Sequence, residues 1–306
     1  MAADLCLAAT GTDTAGSIRI PAAANGVVGL KPTFGRVSKR GIVPLSWSLD
    51  HAGPLAGSVL DAALTLNAMA GHDPADLCSV DEPVPDFADG IEDGVAGLKI
   101  GVLRNWFTDR VAACVEEAGR EATRILEGLG ATIEEVEVPY LDEAMDIHSA
   151  ISAAEASAYH QPMLRSSPEL YGRGARGFLE AGQLVAATTY VNAQRARELV
   201  SRGFRQAFSA CDVLIAPALP TTAAEIGSRT VRINGSEEDV TSAYIRLSIP
   251  ANLSGLPAMS VPCGFHAGLP LGLQILGKPF GEQTVLRAGH AYEQATTHHL
   301  KHPDLD

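Results

Sequence analysis

Apolar positions along the chain change period several times, and each change marks an element. Residues 1 to 75 are dense in Gly, Ala and Pro and read as short apolar strands and tight turns, such as Val27-Val-Gly-Leu30 before Lys31-Pro32. A helix is predicted from Ser58 to Ala70, with Ser58 as its cap and Leu60, Leu64 and Ala68 on one face. Asp73 to Gly94 is polar and carries prolines, the pattern of a surface loop. Leu98-Lys-Ile-Gly-Val-Leu103 alternates as a strand. From Asp109 to Leu126, Val111, Val115, Ala118, Ala122, Ile125 and Leu126 recur at helical spacing until Gly128 and Gly130 stop the helix. Thr132 to Val138 reads as the next strand. A strand, helix and strand of these lengths predict a parallel crossover.

Further helices are expected over 142–162 and 183–208, the second keeping Leu184, Tyr190, Val191, Leu199, Phe204 and Phe208 at three- and four-residue steps. Asp212-Val-Leu-Ile-Ala-Pro217 is a short apolar run closed by proline, as in a buried strand. Ser228 to Val240 is polar and reads as a surface excursion. Met259-Ser-Val-Pro262 and Leu271-Gly-Leu-Gln-Ile-Leu276 give a last pair of strands, and Glu282 to Ala295 a closing helix. The sum is an α/β protein with a mixed β-sheet core covered by helices, read as one domain over 1–306.

Composition narrows the function classes. The 306 residues are 46% hydrophobic and 19% charged, an ordinary globular balance with ample sequence for a core. A formal net charge of −13, with Lys and Arg scattered, opposes nucleic acid and anionic membrane surfaces as partners. Cys6, Cys78, Cys114, Cys211 and Cys263 form no CxxC pair or metal-ligand spacing. This sparse, odd set, with a start (Met1-Ala-Ala-Asp) lacking basic residues, gives a cytoplasmic expectation with reduced thiols. No Gly-rich element has the spacing of a phosphate loop, and no cofactor is expected.

The candidate chemistry lies near the beginning. Ser17 follows Thr14-Ala15-Gly16, a run of small residues. A serine alcohol attacks only once a base removes its proton, and the oxyanion that forms needs donors aimed at it. Small residues before the serine let backbone N–H groups come close enough to serve. Asp50-His51 invites a triad with Ser17, but side chains of adjacent residues diverge along the backbone. Lys31 reads as structural or surface-facing. His298, His299 and His302 read as a solvated tail rather than a metal site. Cys211 and Cys263 sit in apolar runs and are expected to be buried thiols.

Gly11-Thr-Asp-Thr-Ala-Gly-Ser-Ile-Arg-Ile-Pro-Ala22 resembles the nucleophile segment of the amidase signature family. An ordered series continues through Gly26-Val-Val-Gly-Leu-Lys-Pro-Thr33, Gly35-Arg36-Val37, Gly41, Ser48-Leu-Asp50 and Gly53-Pro54. Asp212 to Pro217, Asn252 to Ala258, Ser260 to Gly264 and Gly268 to Gln274 resemble later blocks of the family. The resemblance covers nearly the whole chain. It implies a serine amidohydrolase without cofactor acting on a small-molecule amide, with a homodimer as a state common in the family. Ser17 matches the nucleophile. Thr14, Ala15 and Gly16 match backbone oxyanion donors, and Asp13 and Arg19 match positions that support the loop. In the family a neutral lysine and a bridging serine held by a cis peptide activate the nucleophile, and both lie well upstream of it. Only sixteen residues precede Ser17, so the expectation is a family domain incomplete at its N-terminus, carrying a nucleophile without its base and leaving sheet edges unpaired.

Two other functions fit the same residues. One is the amidase subunit of a tRNA-dependent glutamine amidotransferase. Its glutamine-binding Asp would fall near Ile245, where no acid stands, and its Tyr/Asp-rich helix is replaced by Thr189-Tyr-Val-Asn-Ala-Gln194. The other is a non-catalytic scaffold of the same fold used for binding.

Overall fold

The computed structural model describes residues 1–304. The chain opens with β1 (Ala8–Asp13), α1 (Arg19–Asn25), β2 (Val28–Lys31), β3 (His51–Ala56) and α2 (Val59–Met69). It continues through β4 (Lys99–Leu103), α3 (Ala113–Gly128), β5 (Thr132–Val136), α4 (Ala144–Ser166), α5 (Arg173–Gly182) and α6 (Ala187–Ala207). Then come β6 (Val213–Pro217), β7 (Thr230–Ile233), β8 (Ser236–Asp239), α7 (Val240–Arg246) and α8 (Ile249–Ser254). The hairpin β9 (Ala258–His266) and β10 (Leu269–Gly277) precedes α9 (Glu282–Gln294).

Eight strands form one mixed sheet in the order β1-β3-β2-β9-β10-β6-β4-β5. The β1, β3, β2, β9, β10 and β6 neighbours are antiparallel, whereas β4 runs parallel to both β5 and β6. The expected parallel unit is β4-α3-β5, and the mixed α/β core covered by helices is present. β1 ends the sheet. Gly11 stands opposite Gly53, while the other side of β1 faces no strand among the described residues.

The interior is built from short aliphatic side chains: Val28 and Leu30 of β2, Met259 and Val261 of β9, Leu273 and Ile275 of β10, and Leu214 and Ile215 of β6 are all buried. Alternate residues of strands covered on both faces have no solvent side, so they read as continuous apolar runs.

Several expectations need correction. Ser58 caps α2 by accepting the Asp61 N–H, but the buried face is Val59, Ala62, Ala63 and Leu66, while Leu60 and Leu64 face solvent. The helix expected from Asp109 starts at Ala113, because Arg110 takes φ 52° and cannot begin a right-handed turn. The 73–94 loop is not wholly superficial, since Phe87 and Ile91 are buried and the Phe87 N–H donates to Asn67 Oδ1. The polar stretch after Ser228 forms the separate hairpin β7–β8. Lys31 is fully buried rather than surface-facing. All five cysteines are free, with Cys211 and Cys263 buried as expected. No group of described residues has the makings of a metal site. No described helix is long and apolar enough to cross a membrane.

Candidate active site

The turn between β1 and α1 carries Ser17. Its backbone is shaped by one side chain, Asp13, the last residue of β1. Asp13 Oδ1 accepts the Gly16 N–H at 2.8 Å and Oδ2 accepts the Ile18 N–H at 3.2 Å, so the carboxylate grips the chain on both sides of Ser17. Gly16 takes φ 120°, a conformation that side chains disfavour, and a Cβ there would meet Ser248 Oγ and Ile20 Cδ1 at 2.6 Å. The alternation of packing is sharp: Gly16 and Ile18 are buried, whereas Ser17 between them is exposed.

Beneath the turn lies a fully buried polar cluster. Arg19 Nε and Nη2 donate to the Asp13 carboxylate at 3.1 and 3.0 Å. The guanidinium also donates to Asn252 Oδ1, to Gln274 Oε1 and to the Ser248 carbonyl. Asn252 Nδ2 returns a bond to Asp13 Oδ1 at 2.8 Å. Burial alone would raise the Asp13 carboxyl, but the charge and hydrogen bonds of Arg19, aided by Lys31 and Asn252, hold it well below the usual carboxylate range. One guanidinium thereby ties α1 to α8 and β10, more than 220 residues later in the chain.

Thr14 is fixed from three directions. Its Oγ1 donates to Asp50 Oδ1 at 2.6 Å, and its carbonyl meets His148 Nε2, from α4, at 3.2 Å. The preceding carbonyl, of Asp13, meets Asn252 Nδ2 at 3.2 Å and His51 Nδ1 at 3.3 Å. Asp50 also accepts the Leu45 and Ser46 N–H groups, and burial pushes its carboxyl up despite these bonds. These contacts dispose of a triad: Asp50 binds Thr14 and backbone, while His51 Nδ1 donates to the Leu49 carbonyl at 2.7 Å. Burial, with Lys31 nearby, keeps His51 neutral by holding its pKa well below the ordinary value.

Among the described residues, the N–H groups of Thr14, Ala15 and Ser17 have no hydrogen-bond partner, and no side chain hydrogen-bonds to Ser17 Oγ. Gly16 differs from the other expected oxyanion donors because Asp13 already takes its N–H. The Lys31 amine donates to the Leu256 and Pro32 carbonyls at 2.5 and 3.2 Å, bonds that anchor β2 to the loop before β9. Burial first, and Arg19 second, hold that amine well below the ordinary lysine range. A cavity of about 530 Å³ runs along Thr10, Gly11 and Thr12 on β1, with Val37, Ile42, Ala52 and Met69 among its other walls.

Asn252 and Gln274 lie within motifs visible in the sequence, but their convergence on Arg19 was not legible there. His148 gave no signal at all. It is one of two histidines in an alanine-rich helix, with no motif around it, brought to Thr14 across 134 residues of sequence.

The amidase family profile matches residues 1–286 of this chain. An amidase of Pseudomonas putida is 49% identical over 299 residues, covering 97% of this chain and 64% of that relative. A glutamyl-tRNA(Gln) amidotransferase subunit of Marinobacter nauticus is 41% identical over 331 residues, covering 99% and 66%. Among solved structures, a vestigial protein complex described as revealing the origins of an s-triazine catabolic enzyme superposes with a TM-score of 0.89. That match is 35% identical and covers 94% of this chain and 63% of its counterpart. The chain thus spans just under two thirds of the length of these relatives.

Proposed function

The chain belongs to the amidase family, and on that premise we propose that it carries the nucleophile and oxyanion-binding turn of a serine amidohydrolase acting on a small carboxylic amide. The observation that carries this reading is the exposed Ser17 on a turn gripped by Asp13, with open N–H groups at Thr14, Ala15 and Ser17 itself. Ser17 Oγ attacks the amide carbon, and the carbonyl oxygen becomes an oxyanion received by those N–H groups. The intermediate collapses with cleavage of the C–N bond, and the amine leaves with a proton. Water then hydrolyses the acyl-serine ester and returns the free hydroxyl. This route needs no cofactor. Asp13 and Arg19 hold the turn and take no part in bond making. The unpaired thiols fit a reducing, cytoplasmic setting.

The proton acceptor for Ser17 is, on the family pattern, a neutral lysine acting through a bridging serine. Lys31 is not proposed for this role, because its amine is spent on two backbone carbonyls.

The test is a serine-directed fluorophosphonate applied to the protein isolated from its own cells. Mass analysis of the digested product should find the phosphonate on the Ser17 peptide, and Ser17→Ala should remove it. Absence of labelling in the wild type would favour a scaffold that binds without catalysis.

The amidotransferase reading is the second, favoured by the 41% identity to a subunit of such an enzyme. Ile245 packs against the apolar core at the place where that function calls for an acid. Glutamine hydrolysis by the isolated protein would support the amidotransferase; hydrolysis of simple amides with glutamine untouched would support the amidase.

A further inference from the structure

Each open N–H beside Ser17 belongs to a peptide whose carbonyl is held from behind. A trans peptide is planar, with its C=O and N–H pointing in opposite directions, so fixing the oxygen decides where the hydrogen points. The Asp13 carbonyl, which sets the Thr14 N–H, is held by Asn252 Nδ2 and His51 Nδ1. The Gly16 carbonyl, which sets the Ser17 N–H, accepts the Ile20 N–H at 2.7 Å from the first turn of α1. The Thr14 carbonyl, which sets the Ala15 N–H, is held by His148 Nε2 at 3.2 Å.

The third case stands apart. The Thr14 carbonyl is held by one side chain, and that side chain comes from a distant helix. A carbonyl oxygen only accepts, so His148 must be the tautomer with its hydrogen on Nε2. The Oγ1 of Thr14 donates to Asp50 at 2.6 Å, pinning the same residue through its side chain. We propose that His148 is a positioning residue for the oxyanion hole: by donating Nε2–H to the Thr14 carbonyl it aims the Ala15 N–H at the reacting carbonyl oxygen and polarises it.

The chemistry follows from hydrogen-bond cooperativity. A carbonyl that accepts a bond withdraws electron density from its own amide, and the N–H on the same peptide becomes a stronger donor. The imidazole is buried, which leaves the ring neutral with a single donor. Ring and carbonyl thus satisfy each other in a place where either alone would be costly. The proposal rests on Ser17 being the nucleophile. It adds that α4, which shares no strand with the turn, contributes to catalysis through a peptide rather than by touching the substrate.

Two measurements test it. In the ¹⁵N-labelled chain, long-range proton–nitrogen correlation reads the His148 tautomer, and the Ala15 amide nitrogen shift reads polarisation of the peptide. In protein expressed in its own cells, the fluorophosphonate labelling rate of Ser17 reads the oxyanion hole. We expect the Nε2–H form, and an Ala15 nitrogen that moves upfield in His148→Phe and returns most of the way in His148→Gln, whose amide can still donate. Labelling should slow about tenfold or more in His148→Phe, with reagent binding unchanged, and recover to within about threefold of wild type in His148→Gln. If His148→Phe fails to fold, His148→Asn, too short to reach Thr14, takes its place. An Nδ1–H tautomer, or equal labelling rates in folded His148→Phe and wild type, overturns the proposal alone. A wild-type Ser17 that never labels overturns the nucleophile reading and takes this inference with it.

Discussion

The Arg19 guanidinium and the Asp13 carboxylate meet at 3.0 Å with both side chains fully shielded from water, and the backbone between them bears Ser17. Removing one partner of such a pair strands the other in a medium that cannot solvate it. Arg19→Met is therefore expected to destabilise the fold by roughly 3–5 kcal/mol, read as a fall in the urea midpoint. The loss should be larger than for Gln274→Leu, which removes only one acceptor of the same guanidinium. Equal midpoints for Arg19→Met and wild type would mean that the ion pair holds nothing together.

Gly16 is the position where the turn tolerates no side chain. At φ 120° an added methyl would fall 2.6 Å from Ser248 Oγ and 2.7 Å from Ser248 Cβ, both buried and unable to retreat. Gly16→Ala should therefore displace the turn, because relaxing it breaks the Asp13–Gly16 bond. A stability loss of about 1–3 kcal/mol is expected, with loss of Ser17 labelling far beyond what the loss of folded protein explains. Chemical unfolding and fluorophosphonate labelling on the same samples separate the two effects.

How far these features could be read beforehand depends on how local they are. The β4-α3-β5 unit and the Ser58 cap were legible because period and capping act within a few residues. The glycine-bearing helix α5 was not, since Gly174 and Gly177 weaken helix propensity and tertiary contacts supply the difference. Helix α1 escaped for a similar reason: seven residues including Pro21 show no period before Gly26 ends them at φ 68°. In α2 the sequence pointed to the bulky Leu60 and Leu64 as the buried face, yet packing chose Ala62 and Ala63, whose small side chains allow close approach to the sheet. At the site, the nucleophile segment was visible as a motif. The partners that fix it, His148, Ser248, Asn252 and Gln274, come from 134 to 255 residues away and carried no local signature of that role.

His148 also predicts a pH dependence of stability. Burial lowers its pKa from 6.5 to about 4 in the folded protein. Between these values the unfolded chain binds a proton that the native ring does not, so stability rises with pH across that window. His148 therefore costs the fold nothing above about pH 6.5 and progressively destabilises it as pH falls toward 4, by up to roughly 3 kcal/mol. His148→Gln, which cannot titrate, should flatten that part of the curve of unfolding free energy against pH. An unchanged slope between pH 4 and 6.5 would place the titrating group elsewhere.

Glu293 carries the opposite sign. Its side chain is buried at the end of α9, where Oε2 accepts the Val59 N–H at 2.9 Å at the start of α2. Burial raises its pKa from 4.5 to about 7, with Asp61 adding a smaller push in the same direction. Between those values the native carboxyl holds a proton that the unfolded chain releases. The proton-linked stability is thus complete below about pH 4.5 and is lost as pH rises through 7, where the buried group ionises. The bond to Val59 survives in either state, because one carboxyl oxygen can always accept. Glu293→Gln keeps an acceptor for that N–H and never ionises, so it should match wild type near pH 4 and exceed it at pH 8 by about 1–3 kcal/mol. Urea unfolding at the two pH values checks this directly, and a variant less stable than wild type at pH 8 would show that the charge itself, drawn to the N-terminus of α2, stabilises the fold.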